Sequence, residues 1–575
     1  MFPVEPEKQK IYNYLDSQGI SYSFGENESE LITNHKLGSF EVAIRAVIPK
    51  NFPCSLPYFH LVNRTNYGGL AHVAWDDNGI NAEICYGRGN NLSADLHDPG
   101  RVFLEALSRA LSILKKSLTD QDYNKNELLR EFAGVWRFHV KSLSRLICIV
   151  EPTDEPALLE IRSSIKGSDS SIDKSTYAIE HSSPCNNNNF FLKKGRHKER
   201  SVKGKGAVIP ILALLPPPEP SEDIKLWWRK QLEVLSVEEK RELKKIIKRT
   251  KAREFFIVCH AEYKSDTIWF GIHCTSDSKQ YAPLTLDYLN YWDLKAIHIE
   301  VISHNLLVPR AGGLADLKEA KVCVVGCGSI GGYIADMLAS SGVGKLTLID
   351  NDIFELENLH RHFLDSTYIF WPKARALKFH LELKYPFIQT EFLTEDFLDI
   401  DKTDFWENFD SIVVAIGAAS YERKFNEFIK INHVDTPVIT TWVEPFGVGG
   451  HAVATIPGKR GCLDCAYINN ENDLPDLYPN LSFIERDQYV LQSLGGCGTE
   501  FMAFSSVDSM QTASIAAKLS LRSVKGEIPH GVSVSWKSES PQARKMGIRF
   551  THRYLHMKAN LEDIDIRRDE CQICG

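Results

Sequence analysis

The chain has 575 residues, a formal net charge of −8, and 43% hydrophobic and 25% charged residues, the proportions of an ordinary globular protein long enough for three or four domains at roughly 150 residues each. The acidic balance argues against general nucleic-acid binding, and the longest apolar run, Ala207–Leu215, is too short to cross a bilayer and runs into a proline triplet. Thirteen cysteines behind an N-terminus without a signal-peptide pattern point to a reducing cytoplasm, where thiols serve metals or chemistry.

Residues 1–150 read as a compact α+β domain. "KLGSFEVAIRAVIPKNFPCSLPYFHLV" alternates apolar and polar residues as strands do, and prolines interrupt it. "DPGRVFLEALSRALSILKKSL" then has helical apolar spacing. Residues 151–206 turn polar and low in complexity, with a basic run, and are expected to be a solvated linker or loop. Residues 207–304 carry a charged helix and strand-like runs ("FFIVCHAEY", "TIWFGIHC") without a catalytic constellation, and are expected to form a connector domain.

From residue 305 the pattern is α/β. "AKVCVVGCGSIGGYIADMLASSGVGKLTLID" reads strand, glycine turn, helix, strand, as in a parallel sheet. Gly326, Gly328 and Gly331 have the GxGxxG spacing, and Asp350 ends the next strand, where it can accept from ribose hydroxyls. This selects a nucleotide, NAD or ATP alike. The residues that follow, Asp352, Asn358, Arg361 and Lys373, favour ATP. A dehydrogenase has no use for these two cations, whereas cleavage between the α- and β-phosphates builds charge that fixed cations stabilise. Cys462 and Cys465, with Cys571 and Cys574, form two C-x₂-C pairs, the spacing of a tetrathiolate Zn²⁺ site. Cys497 sits between glycines in "SLGGCGTE", as a turn residue or as a swinging nucleophile.

The D-x-D-x₅-N-L-x-R run and its downstream Lys373 resemble the adenylation domain of ubiquitin-activating enzymes and of the ThiF/MoeB-like activators of sulfur carriers, over about residues 305–575. The resemblance implies ATP and Mg²⁺ as cofactors. It places Arg361 and Lys373 on the phosphates, Asp350 on the ribose and Asn358 beside the phosphate site, and makes the zinc structural. It makes Cys497 the catalytic thiol that takes the acyl group from the adenylate. Arg310 matches a family arginine that enters a partner subunit's ATP site, which implies a homodimer. The family aspartate that helps hold Mg²⁺ falls at Gly417, in "DSIVVAIGAASYERKF", and leaves Asp352, Glu422 or another acid for the metal.

Residues 1–150 resemble a ubiquitin-conjugating enzyme. His72 and Val73 stand at its His-Pro position, Gly79 holds a turn, and Cys85 follows Ile84 as the acceptor thiol, while the oxyanion Asn is missing from "HVA". Cys54 and Cys148 read as core cysteines. The two halves together resemble the bacterial activating–conjugating fusion proteins of CBASS antiphage operons. That resemblance implies activation of the C-terminal carboxylate of a cGAS/DncV-like nucleotidyltransferase (a CD-NTase) ending in a glycine-like residue. A thioester then passes from Cys497 to Cys85, and the acyl group to a target lysine, with no role for a membrane or nucleic acid. A sulfur-carrier adenylyltransferase with a non-catalytic N-terminal docking domain is the alternative, and Cys85 separates the two.

Overall fold

The computed structural model describes residues 4–25, 30–74, 81–87, 98–141, 145–164, 175–180, 200–219, 221–264, 266–400, 402–469, 471–472, 474–493 and 500–558. The chain divides into two compact units, with the boundary between Ile302 and Ser303.

In the first unit, strands Tyr22–Phe24 (β1), Glu30–Leu37 (β2), Phe40–Val47 (β3), Tyr58–Val62 (β4) and Asn81–Glu83 (β5) pair antiparallel in chain order. Along β3, Val42, Ile44 and Ala46 alternate inward. Helices Val4–Ser17 and Pro99–Thr119 supply Ile11, Leu15, Phe103, Leu107 and Leu114 to the same core. The second helix begins where Asp98 accepts from the Arg101 amide, with Pro99 in its first turn. Such a cap contributes about 1 kcal/mol, whereas each large buried apolar side chain contributes about 1.5–3 kcal/mol, so the apolar stripe holds the helix in place.

The expected linker over 151–206 is in part a sheet. Arg145–Ile149 (β6), Ala157–Ser164 (β7), Ser175–Glu180 (β8) and Arg200–Pro210 (β9) join Lys251–Tyr263 (β10), Asp266–Tyr281 (β11) and Asp293–Ile302 (β12). Together they close a barrel in the order β10-β11-β12-β6-β8-β7-β9. Leu159, Ile161 and Ala178 are buried with Leu146, Cys148, Val208, Val258 and Ile297, a cluster drawn from around the barrel. The opposite faces of β10 and β11 (Phe255, Ile257, Phe270, Ile272) pack on Trp227, Trp228 and Leu232 of helix Ile224–Val234. Polar runs at 165–174 and 181–199 lie between the strands of this stretch, so composition averaged over it hides their alternation. The charged run at 236–255 splits into helix Val237–Ile247, with a Ser236–Glu239 capping box, and the start of β10.

The second unit is a seven-stranded sheet. Lys321–Val325 (β13), Lys345–Ile349 (β14), Gln389–Leu393 (β15), Ser411–Val414 (β16), Val438–Val443 (β17), Gly449–Thr455 (β18) and Val532–Lys537 (β21) lie in the order β15-β14-β13-β16-β17-β18-β21. The first five strands in that order are parallel and the last two pairings are antiparallel. Strand order reverses between β13 and β16, and a crevice opens at the carboxyl ends of the strands at such a switch point. A separate hairpin pairs Leu491–Ser493 (β19) with Glu500–Met502 (β20), and helix Ser506–Val524 buries Ala513, Ala516, Ala517 and Leu519 in the sheet's core.

Candidate active sites

The crevice of the second unit has a volume of about 730 Å³. Gly326, Gly328, Asp350, Asp352, Asn358, Arg361 and Lys373, all expected from the sequence, line it together. Gly326 has φ +85°, and a side chain there would meet the Ala415 carbonyl at 2.7 Å. At Gly331, the first residue of helix Gly331–Ser340, a Cβ would fall 1.7 Å from the Gly326 carbonyl. The turn is therefore sterically closed to other residues, while the space beside Gly328 is open to a ligand.

Asp350 organises this turn. One carboxylate oxygen accepts from the Cys327 amide at 2.6 Å and the other from the Asp352 amide at 2.8 Å. Burial raises its pKa, and Lys373 and the two amides act against that. Lys373 opens helix Lys373–Lys384, is 9% exposed, and places Nζ 2.8 Å from Asp352 Oδ2. The Asn358 side chain accepts from the Glu355 amide at 3.1 Å, which shapes the turn before Arg361. The Arg361 guanidinium lies over the Phe504 ring, 5.4 Å from its centroid.

Two residues that the sequence did not single out complete the crevice. His362 is buried, accepts from the Leu364 amide at Nδ1 (3.1 Å), and so donates from Nε2 to the Cys327 carbonyl at 2.7 Å. Burial lowers its pKa to about 4, aided by Lys373 and Arg361, so it is a neutral brace under the glycine turn. Phe504 follows β20 and lines the crevice with Phe501 and Met502. An Arg-His pair or an isolated Phe carries no sequence signal for either role.

Gly417 has φ +70° and lines the crevice. Its amide donates to Glu422 Oε1 at 2.9 Å. Glu422 is 4% exposed, and burial lifts its pKa to about 7 against the bonds from Gly417 and Ala418. Asp352 is matched to Lys373, whereas among the described residues Glu422 makes no ion pair. Of the acids that the sequence left open, Glu422 lines the crevice without an ion-pair partner among the described residues.

The N-terminal site forms a second crevice, within the first unit, of about 680 Å³. Cys85 is exposed on it, and its amide donates to the His72 carbonyl at 2.7 Å. His72 has φ +61° and is held on both sides. Glu131 takes its Nδ1 at 2.5 Å and its amide at 2.8 Å, and Glu127 takes Nε2 at 3.2 Å. Asn124 binds the Gly69 carbonyl and the Ala71 amide at 2.7 and 2.8 Å. Helix Gln121–Arg130 and the residue after it thus pin the turn that carries His72. The His72 pKa is raised, first by the Glu131 bond. Burial would raise that of Glu131, but the bonds and charge of His72 hold it down. Cys148 is core, as expected. Cys54 is not: Phe52 and Pro53 take the buried places in that turn and leave it exposed.

Cys462 and Cys465 flank the start of a short turn, with their sulfurs 3.9 Å apart. Gly79, Cys497, Cys571 and Cys574 lie outside the described residues. Among the described residues no cluster of three or more metal-ligating side chains occurs. Half of the expected zinc ligands lie beyond them. Arg310 ends helix His304–Arg310 and is exposed. No helix among the described residues is long and apolar enough to cross a membrane.

Residues 303–528 match the ThiF family, and residues 22–144 match prokaryotic E2 family B. The ATP-dependent ubiquitin transferase-like protein Cap2 of Pseudomonas aeruginosa is 26% identical over 219 residues, 36% of this chain and 37% of that protein. Cap2 of Escherichia coli is 24% identical over 229 residues, 38% of this chain and 37% of that protein. Ubiquitin-like modifier-activating enzyme 5 of Drosophila pseudoobscura pseudoobscura is 29% identical over 163 residues, 26% of this chain and 40% of that protein. The chain thus spans little more than a third of the Cap2 relatives' length. Among solved structures, Escherichia coli MccB with ATP aligns at 19% identity over 47% of this chain and 69% of that one, with a TM-score of 0.29.

Proposed function

On a chain that fuses a ThiF-family domain to a prokaryotic E2 family B domain, we propose a three-step acyl relay. The C-terminal carboxylate of a protein attacks the α-phosphorus of ATP. An acyl-adenylate forms and pyrophosphate leaves, its charge met by Arg361 and Lys373 while Asp350 faces the ribose. The Cys497 thiolate then attacks the acyl carbon and AMP departs. Cys85 takes the acyl group from Cys497 by thioester exchange. A lysine amine on the target attacks that second thioester and releases the Cys85 thiol.

The observation that carries the reading is the convergence of the glycine turn, Asp350, Arg361 and Lys373 on one crevice. The exposure of Cys85 on a crevice of its own supports conjugation over sulfur-carrier activation, which does not use this thiol. Glu422, which lines the crevice without an ion-pair partner among the described residues, is the acid that would hold Mg²⁺ against the phosphates, with Asp352 or another acid as the alternative. The bound ion would neutralise phosphate charge. Cys462 and Cys465 fit two corners of a structural Zn²⁺ tetrahedron, and Cys571 and Cys574 would supply the others. The substrate class inferred from the family likeness is a cGAS/DncV-like nucleotidyltransferase ending in glycine, acting in cytoplasmic antiphage defence. A homodimer would bring Arg310 to the partner's crevice.

ATP–pyrophosphate exchange tests the first step. Exchange should require such a synthase with its C-terminal residue intact and fall about 10²–10³-fold in Arg361→Ala. Exchange that persists without a protein carboxylate would refute the reading.

A further inference from the structure

We propose that Glu444 receives the last peptide N–H of the incoming protein tail and so selects and orients the carboxylate that is adenylated. The inference rests on the acyl-adenylate reading of the second unit's crevice. Glu444 follows β17, lines the crevice between Val443 and Pro445, and is 6% exposed. One of its oxygens is committed: Oε1 accepts from His451 Nε2 at 3.1 Å and from the Phe483 amide at 3.2 Å. Among the described residues Oε2 has no hydrogen-bond partner. A buried carboxylate oxygen without a donor is costly, and a ligand that brings one relieves that cost.

A chain of side chains holds that carboxylate in one orientation. His451 is fully buried on β18, and its Nδ1 lies 2.8 Å from the Ser535 hydroxyl on β21. Ser535 accepts from Arg553 Nη2 at 3.0 Å, and Arg553 belongs to helix His552–His556. A guanidinium can only donate. With Ser535 giving its own hydrogen to Nδ1, Nε2–H is left for Glu444, and every hydrogen in the chain points towards the crevice. Oε1 is therefore held from behind, and Oε2 is the oxygen offered to a ligand.

Charge and span name the group that meets it. The cationic side chains that line the crevice, Arg361 and Lys373, come from the segment after β14, and the phosphates and the substrate carboxylate belong with them. Glu444 repels both anions, so it takes a donor without negative charge. A peptide tail carries one two bonds from its carboxyl carbon, the N–H of its last residue. Strands β14, β13, β16 and β17 are neighbours in that order, so Asp350 and Glu444 stand past strands three places apart, about 14 Å at about 4.8 Å per strand. A ribose at Asp350, a phosphate at the glycine turn and a terminal residue at the end of β17 fill that span in sequence. Val443 and Pro445 on either side offer no side-chain acceptor, so Glu444 supplies the acceptor at this strand end. A tail ending in proline has no such N–H and is disfavoured.

The test uses the full chain and two stable mimics of the acyl-adenylate, acyl sulfamates of adenosine. One carries acetyl-Gly-Gly, and in the other an ester oxygen replaces the last peptide N–H. Calorimetry gives the affinity of each. The wild type is expected to bind the amide mimic about tenfold or more tightly than the ester. Glu444→Gln separates the lost N–H from the ester's weaker carbonyl. His451 and Phe483 hold the glutamine oxygen, its NH₂ then faces the ligand, and the preference for the amide is expected to vanish or reverse. Equal affinities in the wild type would overturn the role of Glu444 and leave the adenylate site standing. An amide preference that survives Glu444→Gln would assign the N–H to another acceptor and overturn it as well. Failure of both mimics to bind would bring down the adenylate reading, and Glu444 with it.

Discussion

The Arg361 guanidinium sits 5.4 Å from the centre of the Phe504 ring, so a cation of the glycine-turn crevice leans on the segment that follows Cys497 in the chain. Such a contact is worth about 0.5–2 kcal/mol, by how dry it is. Phe504→Leu is expected to reduce ATP–pyrophosphate exchange by about two- to thirtyfold, and Phe504→Tyr to retain it. If Leu and Tyr behave alike, the ring does not position the arginine.

Glu422 carries a buried carboxyl whose pKa is near 7, and it has no basic partner among the described residues. If it takes the place of the acid missing at Gly417, Glu422→Gln should raise the Mg²⁺ concentration for half-maximal exchange by about tenfold or more. An unchanged Mg²⁺ requirement would assign the metal to Asp352 or another acid.

The His72 clamp makes a signed pH prediction. Its folded pKa lies above the ordinary value of about 6.5, chiefly through Glu131, so the folded state holds the proton more tightly. Its contribution is full below about pH 6.5 and is lost as pH rises through the raised value. Asn tolerates the same left-handed backbone, so His72→Asn removes the ring contacts without adding strain. The Tm advantage of the wild type over His72→Asn should shrink as pH rises from about 6 to about 9. An advantage that grows over that range would mean that the imidazole is not held as a cation.

The sulfurs of Cys462 and Cys465 are 3.9 Å apart, close to the edge of about 3.8 Å of a ZnS₄ tetrahedron with bonds of about 2.3 Å. Metal analysis of the purified chain should find one zinc per chain, lost in Cys571→Ser and in Cys462→Ser, with a lower Tm in each. A metal-free chain with oxidised C-x₂-C pairs would make these redox dithiols.

The residues that line the crevice of the second unit were legible because they are local. Gly326 to Gly331, Asp350 to Arg361, and Lys373 at a helix start each declare themselves within a few residues. The same local logic singled out Cys85, which the structure leaves exposed on a crevice. The groups that hold these residues in place were not. Glu131 lies far along the chain from His72, and an acid just past the end of a charged helix looks like any solvated one. His362 acts through a carbonyl 35 residues earlier in the chain, a relationship that only the fold creates. The barrel was hidden because polar runs separate its strands β7, β8 and β9, and Cys54 reads as core from its apolar neighbours, which turn inward without it.

The central claim is an ordered relay, and intact-mass and non-reducing gel analysis tests it most directly. Wild type, Cys497→Ala and Cys85→Ala are incubated side by side with ATP, Mg²⁺ and a cGAS/DncV-like synthase, then split with and without thiol. The relay predicts that Cys85→Ala accumulates a thiol-labile adduct on Cys497, and that Cys497→Ala forms no thioester at all. An adduct on Cys85 that forms without Cys497, or conjugates that form without Cys85, would contradict it.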